Sequence, residues 1–585
     1  AQEERFSRKK HDSSFPLNAI KFVLNFGKLK ISELDHIVFY EKPFLKFERL
    51  LETYVAFAPK GFTQFSKSMP SWLREKLFQK NLLIKNLKSL DSNFNDEKKI
   101  FFSEHHMSHA ASAYFPSPFD EAIVLTADGV GEWATTTVAI GKGKDLSIKK
   151  EIHFPHSLGL LYSAFTFYIG FKVNSGEYKL MGLAPYGEPK YYDLIKNHLI
   201  DIKSDGSFKL SQEYFDYATG LKMTNSKFNK LFGENPRDSD KDKINQFHMD
   251  IAASIQKVTE EVMITLVKSL KEEYKIKNLC LAGGVALNCV ANGKILEKKI
   301  FDKIWIQPAA GDAGGSLGAA LAMWHLELKK EKPKNLDDQM QGSYLGPSYS
   351  QEVIQKELDK VNASYSVMND EEIIENTSES LKNGDAIGWF QGRMEFGPRA
   401  LGARSILGDP RSSTMQKNLN LKVKYRESFR PFAPSILRDD LEKWFSIDQD
   451  SPYMLLVSEV LSEKKIKMSE DEKKLFGIEK LNIKRSDIPA VTHVDYSSRI
   501  QTVHKDTNLK YYLLLEKFKE KTGCPILVNT SFNVRGEPIV NTPTDAFKCF
   551  MGTDLDKLVI GNCYLDKKNQ SKNSFVGHKD KFKLD

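Results

Sequence analysis

Apolar and polar positions alternate along the first part of the chain in blocks that predict an α/β domain. The apolar run EAIVLTA (121–127), the turn DGVGEW and a second apolar run, TTTVAIG (135–141), predict a strand hairpin. Between residues 250 and 274 apolar residues recur every three or four positions, which predicts a long helix with one buried face. NLCLA (278–282) and KIWIQP (303–308) are each followed by a glycine-rich turn and a helical stretch. Because glycine turns let backbone N–H groups approach phosphates closely, these two repeats favour nucleotide binding.

The C-terminal half predicts a second domain of a different kind. AIGWF, PILVNTSFN and KLVIGNCYL are strand-like, and helical stretches such as DAFKCFMG separate them, which predicts an α+β or mixed α/β arrangement. Residues 326–350 are polar and contain Pro and Gly, as linkers between domains commonly do. A chain of 585 residues is also too long for a single hydrophobic core. We therefore expect domains over residues 1–335 and 366–585, joined by a linker over residues 336–365.

Composition excludes several classes of protein. The chain has no apolar run long enough to cross a bilayer, so a membrane protein is not expected. Its five cysteines form no C-x-x-C pair and are odd in number, which suits reduced thiols in a cytoplasmic protein better than a disulfide framework. The first residues, AQEERFSRKKHD, are charged and lack an initiator Met, which suggests a processed, trimmed or incomplete chain. The charged stretch 461–485 is expected to be an exposed insertion or lid.

Most of the positive charge lies in one block. The net charge is +8, and residues 391–438 contain ten basic and three acidic side chains, a net +7. The basic residues are Arg393, Arg399, Arg404, Arg411, Lys417, Lys422, Lys424, Arg426, Arg430 and Arg438. Gly and Pro interrupt this block in FGPRALGARSILGDPR, so its arginines are expected on strands and loops rather than along one basic helix. Because arginine binds phosphate oxygens through paired hydrogen bonds, the block predicts a concave phosphate site, with a solvated basic surface or a nucleic-acid patch as the alternative.

Three histidines are crowded into HHMSHAASAYF, at positions 105, 106 and 109. A spacing of four residues places His105 and His109 on one face of a helix, where two imidazoles can bind one metal ion, while His106 points elsewhere. A third ligand must then come from a distant loop, and Asp128 in TADGVGEW and Asp312 in AAGDAGGSLG are both candidates. Imidazole and carboxylate ligands suit iron, zinc or manganese. From the spacing alone, two surface histidines on a helix stay an open alternative.

Six blocks of sequence carry a family resemblance. They are SEHHMSHAASAYFPSPFDEAIVLTADGVGEW, GEYKLMGLAPYG, LAGGVALN, GDAGGSLGAAL, GWFQGRMEFGPRALGARSIL and PILVNTSFNVRGEPIV, and they are distributed along the chain from residue 103 to residue 540. In these blocks the chain resembles the O-carbamoyltransferases of the nodulation protein U and the cephalosporin and tobramycin carbamoyltransferase type. The resemblance implies an α/β protein with an N-terminal actin-like ATPase domain of the ribonuclease H-like class, followed by a YrdC-like α+β domain.

The resemblance also implies a two-step transferase reaction. The YrdC-like domain would use ATP to convert carbamoyl phosphate into carbamoyl adenylate with release of pyrophosphate, and the actin-like domain would pass the carbamoyl group to a hydroxyl of a small, sugar-like acceptor. Adenylation supplies the leaving group that carbamate lacks. Carried over from the matching blocks, the candidate catalytic residues are Lys424, Arg430, Arg399 and Asp128. The candidate substrate and nucleotide contacts are Arg499, Ser531, Asn533, Gly283, Gly284 and Asn288.

A metal ion is part of what the resemblance implies. His105, His109 and Asp312 match the family's ligands for a divalent metal, which is iron with zinc or manganese as alternatives, and Mg²⁺ would accompany ATP. The expected partners are carbamoyl phosphate, ATP and the hydroxyl acceptor, without a membrane or nucleic acid. Relatives begin with a strand–turn–strand unit before EERFSR, and this chain starts after that point. One wall of the first nucleotide site is therefore expected to be missing, as in a fragment or an enzyme impaired in transfer.

Other functions stay open on sequence grounds. An actin-like sugar kinase would use the glycine turns but not the arginines, and a threonylcarbamoyl transferase acting on transfer RNA would need an extended basic surface. A non-catalytic binding protein is a third alternative. For the acceptor, the aromatic residues between APYGEPK and the long helix are candidates, because rings can stack on sugar faces. They are Tyr191, Tyr192, Phe208, Tyr214, Phe215 and Tyr217, and the alternative is that they pin this segment to the domain.

Overall fold

The computed structural model describes residues 1–73, 77–94, 96–334, 337–475, 477–571 and 577–582. The chain divides into two units. Residues 20–339 form the first, which we call the histidine unit because it carries His105 and His109. Residues 1–19 and 340–585 form the second, which we call the arginine unit because it carries the basic block.

Strands and helices are named here by their order in the chain. The strands are β1 (Ile37–Phe39), β2 (Ile100–Phe102), β3 (Glu121–Ala127), β4 (Ala134–Lys142), β5 (Asp145–His153), β6 (Ile200–Ile202), β7 (Phe208–Leu210), β8 (Asn278–Ala282), β9 (Lys303–Ile306), β10 (Ser366–Val367), β11 (Ile387–Phe390), β12 (Arg404–Gly408), β13 (Ala433–Leu437), β14 (Leu456–Glu459), β15 (Ser497–Val503), β16 (Ile526–Ser531), β17 (Lys557–Ile560) and β18 (Cys563–Asp566).

The helices complete the inventory. They are α1 (Glu3–Ser7), α2 (Leu17–Gly27), α3 (Pro43–Phe57), α4 (Phe62–Trp72), α5 (Gln79–Leu90), α6 (His105–Tyr114), α7 (Leu158–Tyr168), α8 (Glu177–Leu183), α9 (Tyr192–His198), α10 (Ser226–Phe232), α11 (Gln246–Tyr274), α12 (Cys289–Glu297), α13 (Asp312–Ala322), α14 (Gln351–Lys360), α15 (Asp370–Lys382), α16 (Met415–Asn418), α17 (Glu470–Lys474), α18 (Leu509–Thr522) and α19 (Pro543–Met551). Among the described residues, no helix combines the length and the hydropathy needed to cross a membrane.

The central sheet of the histidine unit positions the loops of its candidate site. In the described part of the chain this sheet has five strands in the order β5-β4-β3-β8-β9. The strands β3, β4 and β5 are antiparallel neighbours, whereas β8 pairs parallel with both β3 and β9. Six of the seven residues of β3 are buried, as expected for a strand covered on both faces. Because β3, β8 and β9 run parallel, the loops that follow them lie at the same edge of the sheet.

A mixed sheet organises the arginine unit. Across the described residues it has nine strands in the order β10-β18-β17-β11-β12-β16-β13-β15-β14. At its centre β16 is antiparallel to β12 and β13, and β15 is parallel to β13. A buried polar network helps to set this register: the Asn529 amide donates to Ser435 Oγ at 3.0 Å and to Gln501 Oε1 at 2.8 Å. A one-residue slip of any of these strands would turn a network member to the other face.

Most of the elements expected from the sequence are present. The hairpin is confirmed as β3 and β4, with Ile123 opposite Ile140. The long helix is confirmed as α11, and it begins at Gln246 because the Asn245 side chain caps it by accepting from the His248 N–H. Both strand–turn–helix repeats are confirmed, as β8 followed by α12 and β9 followed by α13.

The boundary between the units differs in part from the predicted domains. The division after residue 339 lies inside the predicted linker 336–365, but residues 351–360 of that linker form the regular helix α14. Residues 1–19 belong to the arginine unit rather than to the unit that follows them in the chain. Long-range contacts cause this difference, since the buried Arg5 side chain donates to the carbonyl of Gly397 at 2.6 Å.

The stretch 461–485 is also only partly an exposed insertion. It contains α17 and short single-turn helices, and residue 476 lies outside the described residues. Its far end is anchored, because Ile483 and Arg485 are buried. The Ile466 N–H donates to the carbonyl of Arg485 at 2.7 Å, which closes the stretch at its base.

Candidate functional site

The first candidate site lies where helix α6 begins. The backbone N–H of His105, the first residue of α6, lies 3.0 and 3.1 Å from the two carboxylate oxygens of Glu132, so an acid satisfies the start of the helix. His109 follows one turn later, and both imidazoles are buried, with their Nε2 atoms 3.1 Å apart. His106 points elsewhere, and its Nδ1 lies 2.7 Å from the hydroxyl of Thr126.

Two carboxylates complete this cluster. Asp128 Oδ2 lies 3.1 Å from Nε2 of His105 and 3.3 Å from Nε2 of His109. Asp312 Oδ1 lies 3.7 and 3.6 Å from the same two nitrogens. All four ligand atoms lie within 4.8 Å of one another. The spacing of residues leaves Asp128 and Asp312 as alternatives, and the fold brings both to the histidines.

The parallel strands explain how these carboxylates meet. Asp128 follows β3 directly, and Asp312 is the first residue of α13, after β9. Asp128 Oδ1 accepts a hydrogen bond from the N–H of Gly284 at 3.1 Å, which ties it to the turn after β8. The Asp312 side chain is 62% exposed, whereas the two imidazoles are almost fully buried. Solvent therefore reaches the cluster from the Asp312 side.

The arrangement fits a divalent metal ion. Two donors that each lie about 2.1 Å from one ion are about 3.0 Å apart at a right angle and about 3.4 Å apart in a tetrahedron. The separations among His105, His109 and Asp128 fall in this range, and those to Asp312 lie slightly above it. Two nitrogen and two oxygen donors suit iron, zinc or manganese. The donor set therefore identifies residues able to hold a metal ion without selecting one metal.

Charge in this cluster is balanced between carboxylates and imidazoles. Burial lowers the pKa of His109, but hydrogen bonds and charges from Asp128 and Asp312 outweigh it and raise that pKa to about 9. Burial opposes ionisation of Asp128, yet hydrogen bonds from His105 and His109 hold the pKa of its carboxyl well below its usual range. Burial and the charges of His105 and His109 lower the pKa of His106 to about 3, although the charge of Asp128 opposes this shift. The carboxylates therefore favour a positive charge at this point, whether a proton or a metal ion.

The glycine turn after β8 borders the same cluster. Gly283 has φ +87°, and a Cβ atom there would lie 2.3 Å from the carbonyl oxygen of Ala127, so only glycine fits. A Cβ atom at Gly284 would lie 2.8 Å from Asp128 Oδ1. Asn288 instead has a role within the fold, since its side chain caps α12 and pairs with the amide of Gln256 at 3.0 and 3.2 Å.

The second candidate site lies at one edge of the sheet in the arginine unit. Arg399 precedes β12, Arg430 precedes β13, Arg499 lies near the start of β15 and Ser531 ends β16. Since β16 is antiparallel to β12 and β13, and β15 is parallel to β13, these four positions share one edge. The fold thus gathers predicted site residues that are far apart in the sequence.

Lys424 is the buried cation of this site. Its ammonium donates to the carbonyl (2.5 Å) and the hydroxyl (3.1 Å) of Ser531, and to the backbone (2.9 Å) and side-chain (2.6 Å) carbonyls of Asn533. None of these acceptors carries a charge. Burial, together with the guanidinium groups of Arg426 and Arg430, lowers the pKa of Lys424 well below its usual range. A bound anion would supply the negative charge that the protein does not place against this ammonium.

Several arginines of the basic block make contacts within the fold of the arginine unit. Arg404 is fully buried and donates to backbone carbonyls at 3.0 to 3.2 Å. Arg411 pairs with Asp409 at 2.6 Å, and Arg438 pairs with Asp450. These three guanidinium groups stabilise the fold of the unit, so net charge along the sequence overstates the charge at the site.

Two buried glutamates that the sequence did not single out help to shape the two sites. Glu132 accepts from the N–H of Lys42 at 2.7 Å as well as from His105. Glu537 Oε2 accepts from the N–H of Val534 at 2.9 Å. The sequence does contain one signal for Glu537, because it is the single acid in the otherwise uncharged run GEPIV. An acid that is buried with such a run needs a partner, so its position could have indicated a paired side chain.

The aromatic residues proposed to meet the acceptor belong largely to the packing of the histidine unit. Phe208 and Phe215 are buried, so their rings are not open to a ligand. The Tyr217 hydroxyl donates to the carbonyl of Pro155 at 2.8 Å, and its ring contacts that of Phe154 edge-on. These contacts support the alternative, in which the rings pin this segment to the unit.

Comparison with known proteins covers almost the whole chain. The family model described as "Carbamoyltransferase N-terminus" matches residues 1–321, and the model described as "Carbamoyltransferase C-terminus" matches residues 378–567. Among solved structures, the crystal structure of T. kodakarensis HypF matches with a TM-score of 0.22 and 15% identity, over 42% of this chain and 39% of that chain. A match at this TM-score carries no argument about the fold.

Individual relatives align with most of this chain. An uncharacterized protein of Synechocystis sp. is 59% identical over 97% of this chain and 93% of its own length. Nodulation protein NolNO of Sinorhizobium fredii is 36% identical over 97% of this chain and 77% of its own length. The 3'-hydroxymethylcephem-O-carbamoyltransferase of Amycolatopsis lactamdurans is 27% identical over 81% of this chain and 82% of its own length. On these matches, the chain belongs to the carbamoyltransferase family and is an enzyme of the transferase class.

Proposed function

We propose that the protein is an O-carbamoyltransferase that works in two steps. The arginine unit forms carbamoyl adenylate from carbamoyl phosphate and ATP, and the histidine unit transfers the carbamoyl group to a hydroxyl of a small, sugar-like acceptor. The observation that carries this proposal is the buried ammonium of Lys424, whose described hydrogen bonds all go to uncharged oxygens, at a sheet edge shared with Arg399, Arg430 and Arg499. A relative named 3'-hydroxymethylcephem-O-carbamoyltransferase supports a hydroxyl group as the acceptor.

The first step needs positive charge at fixed positions. Water releases phosphate from carbamoyl phosphate, and a carbamate oxygen then attacks the α-phosphorus of ATP, which is bound with Mg²⁺. A new P–O bond forms, the bond from the α-phosphorus to the bridging oxygen breaks, and pyrophosphate leaves with that oxygen. Lys424 and Arg430 stabilise the charge that develops on the leaving group, and Arg399 and Arg499 bind phosphate oxygens.

Ser531 and Asn533 prepare Lys424 for this role. The ammonium donates hydrogen bonds to four neutral oxygens, which hold it in one place before any substrate is present. A phosphate oxygen that replaces one of them adds the missing negative charge, which raises the pKa of the lysine and keeps it protonated. Substrate binding and the charge of Lys424 are thus coupled.

The second step takes place at the histidine cluster. The acceptor hydroxyl attacks the carbamoyl carbon through its oxygen and releases its proton to solvent, the bond from that carbon to the adenylate oxygen breaks, and AMP leaves with that oxygen. His105, His109 and Asp312, together with Asp128, would hold a divalent metal ion, iron with zinc or manganese as alternatives, and that ion would supply Lewis-acid polarisation of the carbamoyl carbonyl. Asp128 also accepts from the N–H of Gly284, so it joins this cluster to the glycine turn that we assign to the nucleotide.

The two sheets support the fold assignments that go with this mechanism. In the histidine unit three consecutive antiparallel strands are followed by two parallel strands reached through helices, an order that supports an actin-like, ribonuclease H-like fold. In the arginine unit, a mixed sheet with basic residues gathered at one edge is compatible with a YrdC-like domain. We therefore assign carbamoyl transfer to residues 20–339 and adenylation to residues 340–585 together with residues 1–19.

Pyrophosphate release tests this proposal against its alternatives. The full chain is mixed with ATP and Mg²⁺, with and without carbamoyl phosphate, and pyrophosphate and ADP are measured separately. Pyrophosphate that forms only when carbamoyl phosphate is present supports adenylation. ADP formed with a sugar would indicate a kinase, and pyrophosphate formed only with threonine and bicarbonate would indicate a threonylcarbamoyl transferase. Absence of any nucleotide turnover would favour a binding protein and overturn the proposal.

A further inference from the structure

Two arginines from the start of the chain, Arg5 and Arg8, contact two loops beside the second candidate site, which is the site of Lys424. Arg5, on α1, is buried and donates to the carbonyl of Gly397 at 2.6 Å, in the loop FGPR before β12. Arg8 ends the same helix and donates to the carbonyls of Ile539 at 2.6 Å and Pro538 at 3.0 Å, in the loop RGEPIV. Residues that precede the histidine unit in the chain are therefore part of the arginine unit's site architecture.

Arg8 is also connected to Lys424 through an unbroken series of hydrogen bonds. Its Nη2 lies 2.8 Å from Oε1 of Glu537, whose side chain is only 1% exposed. The backbone carbonyl of Glu537 accepts from the Asn533 amide at 2.6 Å, and the side-chain carbonyl of Asn533 accepts from Lys424 at 2.6 Å. The second carboxylate oxygen, Oε2, accepts from the N–H of Val534 at 2.9 Å and so fixes the turn between them.

The surroundings of Glu537 favour a structural ion pair with Arg8 over a second metal site. Ligand atoms of Glu537, Cys549 and His578 lie within 4.8 Å of one another, a separation that a metal ion would also allow. However, the Arg8 guanidinium already lies 2.8 Å from the carboxylate oxygen that is 3.2 Å from His578 Nε2. A guanidinium at this oxygen supplies the positive charge that the carboxylate requires and would repel a cation bound to it.

We infer that Arg8 is a positioning residue for adenylation: through Glu537 it fixes the loop 531–537 and thereby sets the position of the Lys424 ammonium. This inference rests on the proposed function of the arginine unit. Arg8 acts through Glu537 and Asn533 rather than on the reacting atoms. Because a displacement of about 1 Å at a catalytic group costs on the order of 100-fold in rate, a tether of this kind affects turnover more than it affects substrate binding.

The test compares Arg8→Gln with Lys9→Gln in the full chain. Both variants remove one positive charge from adjacent positions, but Lys9 is exposed, whereas Arg8 contacts the buried carboxylate. For Arg8→Gln we expect kcat for carbamoyl-phosphate-dependent ATP/pyrophosphate exchange to fall about 10- to 100-fold, with the KM for ATP changing less than about threefold. Arg8→Lys restores part of the rate, because an ammonium still pairs with Glu537. Lys9→Gln behaves as the parent does.

A double variant separates positioning from general loss of structure. If Arg8 acts through Glu537, the Arg8→Gln, Glu537→Gln double variant is no slower than Arg8→Gln alone, since both substitutions break one connection. Rates that multiply in the double variant, or unchanged kcat in Arg8→Gln, overturn the inference. A metal ion that is bound by the parent, kept by a His105→Ala, His109→Ala variant and lost from Glu537→Gln would also overturn it and assign Glu537 to a metal site.

Hydrogen exchange tests, independently of the reaction, whether Arg8 fixes the loop 531–537. We expect backbone amides of residues 531–541 to exchange faster in Arg8→Gln than in Lys9→Gln, at a temperature where both variants are folded. Equal exchange in the two variants overturns the tether. If the parent shows no carbamoyl-dependent pyrophosphate exchange, the proposed function fails, and this comparison still determines whether Arg8 holds the loop.

Discussion

In the histidine unit two carboxylates face two buried imidazoles, whereas in the arginine unit the described hydrogen bonds of a buried ammonium all go to uncharged oxygens. The first arrangement raises the pKa of His109 to about 9 and lowers that of Asp128. The second lowers the pKa of Lys424, because burial and neighbouring guanidinium groups both oppose its charge. The first site therefore stabilises a cation, and the second is completed by an anion. This contrast matches a proposed reaction in which one unit holds a metal ion and the other handles phosphates.

The two sites also differ in how they are assembled. His105 and His109 are one helical turn apart, so part of the first site forms wherever α6 forms. The second site takes residues from the ends of several strands, and α1 contacts two of its loops. Substitutions are thus expected to affect the first site through its ligands and the second site also through contacts remote from Lys424.

The largest expected effect is on adenylation. Lys424→Ala removes the buried ammonium and takes one donor away from each of four oxygen atoms of Ser531 and Asn533. With about 1.5–3 kcal/mol for a charge-assisted contact, and tenfold in rate for about 1.4 kcal/mol, we expect exchange to fall by about 10- to 100-fold. Arg430→Ala is the parallel variant. Carbamoyl-phosphate-dependent ATP/pyrophosphate exchange measures both.

A matched control removes a cation from the same unit without touching the site. Arg438 lies in the basic block but forms an ion pair with the half-exposed Asp450. Arg438→Ala should therefore retain the exchange rate of the parent. If Lys424→Ala keeps that rate as well, the contrast between a cation site and an anion site is lost.

The next effect separates the two steps. The His105→Ala, His109→Ala double variant removes both imidazoles from the metal cluster, so we expect loss of stoichiometric metal and of carbamoyl transfer, but unchanged pyrophosphate exchange. Elemental analysis and the two rate assays measure these outcomes. His153→Ala is the control, because His153 is exposed and pairs only with Glu151 in the described contacts. Metal retained at the level of the parent would make the two histidines structural.

A smaller effect concerns the stability of the histidine unit. Gly283→Ala forces a residue with a side chain into φ +87° and places its Cβ 2.3 Å from the Ala127 carbonyl, so we expect a loss of about 2–4 kcal/mol in the free energy of unfolding. Gly143→Ala has φ +56° and open space around its Cβ, and should cost only about 1 kcal/mol. Urea denaturation compares them. Equal losses would show that close contact with Ala127 does not matter.

The smallest effect is a pH dependence common to both units. Burial lowers the pKa of Lys332 in the histidine unit and of Lys567 in the arginine unit to about 8, from an ordinary value of 10.5. Between these values the unfolded chain holds more protons than the folded chain, so raising the pH favours the folded state. Relative to Lys332→Met, the parent should gain about 2 kcal/mol of stability between about pH 7.5 and pH 10. Urea titrations of both proteins at each pH measure the difference, and a flat difference would contradict it.

Local patterns in the sequence were sufficient for much of the secondary structure. Alternation and apolar runs located β3 and β4, and the three-to-four-residue period located α11, whose start moved four residues upstream because Asn245 caps it. The spacing of His105 and His109 likewise placed two imidazoles on one face of a helix. These features depend on residues within one or two turns of each other, so the chain specifies them before any tertiary contact forms.

Tertiary structure alone decided which distant groups meet. Asp128 and Asp312 were alternatives in the sequence, and both reach the histidines because β3, β8 and β9 end at one edge of a parallel sheet. Arg404 belonged to the basic block but is buried against backbone carbonyls, and Arg8 lay outside that block yet reaches Glu537. Periodicity reports which face a side chain shares with its neighbours along the chain. It contains no information about which strand ends and loops come together, because that is set by burial and hydrogen bonding between residues hundreds of positions apart.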